Sequence, residues 1–169
     1  DRPLETMDME LLYDVAHNIA KKEIHGTPEG QRELYVHRKG ATRAFPPGHP
    51  AVPAAYQDTG QPILIPGSMG AGSYVLSGST DSLKKTFGST PHGAGRLMSR
   101  TQAKREYHGS DVQHNLRQQN VYVKASSGET VAEEAPGVYK DIDEVVRVAD
   151  ELDIGNLVAQ TFPICNIKG

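Results

Sequence analysis

Short apolar runs, broken by glycine, proline and charge, recur along all 169 residues, and their spacing predicts both helices and strands. From Met9 to Lys22, Leu12, Val15, Ala16 and Ile19 fall at helical spacing. Glu5, Asp8 and Glu10 lie near the start of this segment and Lys21 and Lys22 at its end, the polarity that suits a helix dipole, so an amphipathic helix is predicted there. Gly26-Thr27-Pro28-Glu29-Gly30 reads as a turn, and Glu33 to His37 alternates as a strand with Leu34 and Val36 on one side. Pro46, Pro47, Pro50 and Pro53 exclude a helix or central strand through Ala41–Ala55. Ile63-Leu64-Ile65 predicts a buried strand. A glycine loop from Pro66 to Ser73 leads from it into Tyr74-Val75-Leu76. A short helix is expected over Asp81–Thr86, a second glycine loop over Gly88–Gly95, and a basic helix over Arg96–Tyr107. Val121–Lys124 reads as a strand. Ile142, Val145, Val146, Ala149 and Leu152 mark a last amphipathic helix, and Leu157–Phe162 a closing strand. Helices and strands mix without a βαβ rhythm or an internal repeat, so the fold class is α+β, in a single domain over residues 1–169.

Composition narrows the function. Eighteen Lys and Arg against 21 Asp and Glu leave a net charge of −3, which argues against nucleic-acid binding over the whole surface but permits a local basic patch. No run approaches the ~20 apolar residues of a membrane helix, and Asp1-Arg2-Pro3-Leu4-Glu5 does not read as a secretory signal. The single cysteine, Cys165, excludes an internal disulfide and a cysteine-based zinc finger, and a reduced, cytoplasmic setting is expected.

The two glycine loops carry the candidate chemistry. Gly67–Ser73 offers backbone N–H groups and hydroxyls with little side-chain bulk, so a phosphate or base edge can approach the main chain. It matches neither the P-loop nor the dinucleotide fingerprint, and by itself it also fits a plain turn between strands. In the second loop His92 sits between Pro91 and Gly93-Ala94-Gly95, with Ser89, Thr90, Arg96, Ser99 and Arg100 close in sequence. A histidine that attacks phosphorus must be neutral and unobstructed, and small neighbours allow in-line approach while arginines hold phosphate oxygens. A histidine in a surface turn is the competing reading. His17, beside the apolar stripe of the first predicted segment, fits either a core-margin histidine or one ligand of a metal site, but no H-x-x-x-H or C-x-x-C pattern completes such a site.

Tyr13-Asp14-Val15-Ala16-His17-Asn18-Ile19-Ala20 and Arg38-Lys39-Gly40-Ala41-Thr42-Arg43-Ala44-Phe45-Pro46-Pro47-Gly48 resemble segments of the RtcB family of RNA-splicing ligases. Gly67-Ser68-Met69-Gly70, Ser73-Tyr74-Val75-Leu76, the run from Gly88 through His92 to Arg100, and the ending from Phe162 to Gly169 continue the resemblance in order. It implies a ligase that uses GTP and divalent manganese to join RNA 3′-phosphate or 2′,3′-cyclic phosphate ends to 5′-hydroxyl ends through a histidine–GMP intermediate. The guanylated histidine corresponds to His92 and a metal-binding histidine to His17. Nucleotide contacts correspond to Pro66, Gly67, Ser68, Met69, Ser73, Gly93, Ala94 and Gly95. Lys168 matches the family's penultimate lysine that bonds guanine, and Tyr139 the aromatic residue beside it. Arg96 and Arg100, four apart on the expected helix with Lys104 one turn further, are candidates for the RNA phosphate.

The resemblance covers only the C-terminal part of the family's chain. The family's other metal ligands, an Asp, a Cys and two His, and the Asn and Glu that contact GMP, would precede Asp1. Cys165 lies outside that cysteine's motif. Two readings stand: part of a ligase completed by a missing N-terminal metal-binding segment in cis or trans, acting on RNA such as tRNA halves; or a non-catalytic module or partner domain that binds guanine nucleotide or phosphate. Neither involves a membrane.

Overall fold

The computed structural model describes Thr6, Asp8 and residues 10–169. Its architecture is α+β, with small sheets and five α-helices among the described residues. A long antiparallel hairpin comes first. Strand β1 (Asn18–Thr27) pairs with β2 (Gly30–Lys39) along its whole length, from Asn18 opposite Lys39 to Thr27 opposite Gly30. Next, β3 (Ala41–Arg43) pairs with the later β6 (Ser89–Pro91). Strands β4 (Pro62–Ile65), β5 (Ser73–Ser77) and β8 (Asn156–Thr161) form an antiparallel sheet with β5 in the middle. Finally, β7 (Tyr122–Ala125) runs parallel to β9 (Cys165–Lys168). The helices are α1 (Thr80–Thr86), α2 (Arg100–Glu106), α3 (Gly109–Gln118), α4 (Gly128–Glu133) and α5 (Ile142–Glu151).

Two apolar clusters hold these elements. In one, Ile63 and Ile65 of β4 and Leu76 of β5 pack against Ile142, Val146 and Ala149 of α5, the inward positions of an amphipathic helix. In the other, Ala103, Val112, Leu116, Val123 and Val131 bring α2, α3, β7 and α4 together. Tyr139 packs against both clusters. The glycine loop after β4 crosses between them, leaving Ile65 in the first and planting the buried Met69 in the second.

The helix expected over Met9–Lys22 does not form. Met9 lies outside the described residues, residues 10–16 carry no regular structure, and Asn18 onward is β1. The reason is chemical. Strand alternation buries Glu23 and His25 and turns Ile24 outward, so the strand's period of two is written in polar residues rather than apolar ones. On that buried face Arg38 donates from Nη1 and Nη2 to the two Glu23 oxygens, each at 2.9 Å. Arg43 Nε donates to Oε1 at 2.7 Å and His25 Nε2 to Oε2 at 2.9 Å. Arg38 also reaches Ser89 Oγ at 2.9 Å and the Phe87 carbonyl at 2.9 Å, joining the hairpin to the start of β6.

Other expectations change less. The basic helix starts at Arg100, because Ser99 caps it by accepting from Gln102 N at 3.2 Å; Arg96 therefore lies outside the helix and shares no helical face with Arg100. Helices α3 and α4 and strand β9 had no predicted counterpart. Only Val112 and Leu116 mark the buried stripe of α3. No helix among the described residues is long and apolar enough to cross a membrane.

Burial alone would raise the Glu23 carboxyl, but hydrogen bonds from Arg38, His25 and Arg43 outweigh it and hold the group down to about 2, from an ordinary 4.5. A carboxyl depressed by folding stabilises the native state above its unfolded pKa, and that stabilisation fades as pH falls from about 4.5 toward about 2. The contribution is on the order of 3 kcal/mol at neutral pH. Glu23→Gln leaves Arg38 buried without its counter-charge and is expected to cost about 3–5 kcal/mol in urea unfolding at pH 7. The gap between variant and parent should narrow as the pH approaches 3, and a pH-independent gap would exclude the ionic account.

Candidate functional site

The hairpin and the β3–β6 pair bring His17 and His92 together. Gly40 links β2 to β3 with φ +67°, a left-handed conformation that a side chain would strain. Its N–H donates to the His17 carbonyl at 3.0 Å, and its own carbonyl accepts from the His92 N–H at 3.1 Å. One residue thus ties both histidine backbones, and the two imidazoles stack with centroids 3.8 Å apart and planes 5° from parallel. His92 Nδ1 is buried and has no hydrogen-bond partner among the described residues. Burial first, and the neighbouring His17 second, lower the His92 pKa from its ordinary 6.5, so its neutral form dominates at neutral pH.

His92 faces a cleft of about 260 Å³ that Pro66, Ser73, Tyr74 and Thr161 also line. Pro66 and Ser73, the two ends of the glycine loop, border it, and the loop between them folds tightly. A side chain on Gly67 would run into the Gly72 carbonyl, so only glycine lets the loop fold back on itself, and Gly67 N donates to Ser73 Oγ at 3.2 Å. The far side of the loop borders a second groove, of about 470 Å³, where Ser68 faces Tyr139 together with Gln160 and Phe162. Met69 does not point into either space. Its side chain is in the core, and its carbonyl accepts from Asn166 Nδ2 of β9 at 3.0 Å. Gly93 lies beside the Pro66 carbonyl, Ala94 is buried in the first cluster, and the Gly95 carbonyl accepts from Lys140 N at 3.0 Å.

Glu134, which carried no signal in the sequence beyond an acidic pair at the end of α4, gathers the remaining candidates. It accepts from the Tyr139 hydroxyl at 2.5 Å and from Arg96 Nη1 at 3.2 Å, and Lys168 Nζ stands 3.7 Å away. Lys168, which otherwise reads as a tail residue, is held in β9 by pairing with β7. Arg96 also donates to the Glu133 and Met98 carbonyls and to the Tyr139 hydroxyl, and lies over the Tyr139 ring at 5.1 Å. Its donors are thus committed internally. Arg100 is exposed at the start of α2, with Glu133 and Glu134 oxygens 3.9 and 4.0 Å away. The structure therefore groups His17 with His92 at one cleft, Ser68 with Tyr139 at the next groove, and Tyr139 with Arg96 and Lys168 around Glu134.

Metal binding needs several converging donors. Among the described residues no three His, Cys, Asp or Glu side chains come together to hold an ion. His17 alone does not make a manganese site, so the described residues do not by themselves fit that ion.

The family model described as tRNA-splicing ligase RtcB matches residues 1–169. A tRNA-splicing ligase RtcB of Thermococcus kodakarensis is 56% identical over 168 residues, covering 99% of this chain and 35% of that protein. The corresponding protein of Aeropyrum pernix is 50% identical, over 98% of this chain and 34% of its own length. That of Pyrococcus abyssi is 54% identical, over 98% of this chain and 18% of its length. The chain thus spans about a third of these relatives or less.

Burial, followed by the hydrogen bond to Glu134, raises the Tyr139 hydroxyl to about 12. Glu134→Gln keeps the shape and removes the charge, so Tyr139 is expected to titrate nearer its ordinary 10, as read from tyrosine ¹³C shifts against pH. An unchanged titration would assign the whole shift to burial.

Proposed function

We propose that this chain, which belongs to the tRNA-splicing ligase RtcB family, is the C-terminal, nucleotide-binding part of a cytoplasmic GTP-dependent RNA ligase. The complete ligase joins RNA 3′-phosphate or 2′,3′-cyclic phosphate ends to 5′-hydroxyl ends, in tRNA splicing or RNA repair. The observation that most supports this is the stacking of His92 on His17 beside a cleft bordered by Pro66 and Ser73, the two ends of the glycine loop: family-matching segments more than 70 residues apart in sequence meet at one neutral imidazole whose buried Nδ1 has no hydrogen-bond partner among the described residues.

In this reading a ring nitrogen of His92 attacks the α-phosphorus of GTP. The P–N bond forms as the bond to pyrophosphate breaks, and GMP then passes to the RNA 3′-phosphate. Pro66, Gly67 and Ser73 bound the reacting end, with the backbone of Gly93, Ala94 and Gly95 next to it. Ser68 and Tyr139 flank the base, and Lys168 donates to the carbonyl oxygen that guanine carries where adenine has an amino group. Met69 acts through its carbonyl and its anchoring side chain. Arg100 meets the RNA phosphate, while Arg96 positions Tyr139. His17 would be the one ligand offered here to a manganese site completed by the rest of the ligase, where the ion would supply charge neutralisation at the phosphates.

The second reading, a module that binds guanine nucleotide without ligase chemistry, draws on the single metal-ligand candidate among the described residues. One experiment separates the two. The complete ligase, incubated with GTP and manganese, is expected to acquire a GMP adduct on His92 by mass spectrometry, and His92→Ala to lose it. An adduct persisting in the variant refutes the assignment, and no adduct in the parent favours the binding module.

Because the neutral imidazole is the nucleophile, the rate of adduct formation should hold as pH falls through 6.5 and reach half its plateau only below that value. A midpoint at or above 6.5 would show that burial does not govern the titration of His92 in the complete ligase. Lys168→Ala should weaken GTP use by about 1.5–3 kcal/mol, the range for a charge-assisted hydrogen bond. Equal GTP KM values in variant and parent would remove Lys168 from base recognition.

A further inference from the structure

A groove of about 490 Å³ lies away from the histidines, between α3 and β7. On α3, Ser110, Gln113, His114 and Arg117 line it at one-turn spacing, while Val112 and Leu116 face the core. On β7, Tyr122 and Lys124 point to solvent and Val123 points inward. No carboxylate among the described residues lines the groove, in a chain whose net charge is −3. Tyr122 is about half exposed, and the Arg117 guanidinium stands 6.0 Å from the centroid of its ring.

Register adds a second point. Tyr122 N donates to the Ile164 carbonyl and Ser126 N to the Lys168 carbonyl, so in this parallel pair the even-numbered amides of β7 face β9 and the odd-numbered ones face the groove. Gln113 Nε2 donates to the Val123 carbonyl across that open edge at 3.4 Å. The groove is therefore one strand, roughly 5 Å, from β9, where Ala125 lies opposite Lys168.

We propose that this groove binds single-stranded RNA, with one base stacked on Tyr122 and the phosphates on either side of it held by Arg117 and Lys124. Basic side chains that track a backbone beside an exposed aromatic ring are what sequence-tolerant single-strand binding requires. The ring supplies a face that any base can use, and the adjoining strand leads from the groove to the end of β9 that carries Lys168. The choice of RNA rests on the ligase reading above; the choice of groove does not.

The test is fluorescence anisotropy of the chain with a short fluorescein-labelled oligouridylate over a range of salt. Tyr122→Ala is expected to raise Kd at least about fivefold and Tyr122→Phe to leave it at the parent value. Arg117→Ala and Lys124→Ala should each lower the slope of log Kd against log salt by about 0.7. All three positions changed are on the groove's exposed side or its rim, and circular dichroism confirms that each of the four variants folds. Failure of the parent to bind, or binding that none of these changes alters, overturns the proposal; the latter would place the RNA elsewhere on the chain. The adduct assay on the complete ligase reads the family activity separately, and the groove variants are expected to keep the parent's adduct level.

Discussion

The carboxylate of Glu23 holds the geometry on which everything at the histidine site depends. It takes both terminal nitrogens of Arg38, one bond from Arg43 and one from His25, in a place where its own side chain is 6% exposed and that of Arg38 1%. A buried pair of this kind is satisfied only if every member is in place, because each lost partner leaves an uncompensated charge in a poorly solvated interior. The members come from β1, β2 and β3, and Arg38 extends the network to Ser89 at the head of β6. Packing alone lets a hairpin slide; this network gives it one orientation over the β3–β6 pair. His17 precedes the first residue of β1 and His92 follows the last of β6, so the same constraint sets one imidazole against the other.

That constraint also explains which parts of the fold were legible. Strands β4 and β5 and helix α5 announce themselves because their buried positions are Ile, Leu, Val and Ala at the expected period. The turn at Thr27–Gly30 is written in Pro and Gly, and Gly30 takes a φ of +106°. Strand β1 misleads for the opposite reason: its inward residues are Glu23 and His25, while the apolar residues from Leu12 to Ile19 happen to repeat at helical intervals. Apolar periodicity reports burial only where burial is apolar. Strand β9 was hidden differently, since its pairing partner β7 lies some 40 residues away and its side chains are half-buried or exposed.

The candidate site follows the same division. Its backbone parts were visible, because a glycine-rich loop has a local signature, and so was His92 between Pro91 and three small residues. What stayed hidden were relations between distant side chains. Arg96 reads as a helix-surface cation and is instead drawn to Glu134 and Tyr139 from outside the helix. Glu134 stands out in no sequence motif, and it faces Tyr139, Arg96 and Lys168 at once.

Glu23 and Glu134 are the same chemical group placed in two different dielectric settings, and the contrast bears on what each can do. Around Glu23 the partners are rigid, short and dry, so exchanging one for a ligand would strand a charge. Around Glu134, with 18% of its side chain exposed and 34% of Lys168 exposed, the ion pair stands at 3.7 Å rather than in tight contact. Water screens such a pair, and its net worth is small. Lys168 can therefore turn from Glu134 to a carbonyl acceptor at low cost, while Arg96 and the short bond from Tyr139 keep the carboxylate in position. A lysine pre-ordered by a weak partner loses little entropy when it changes partners.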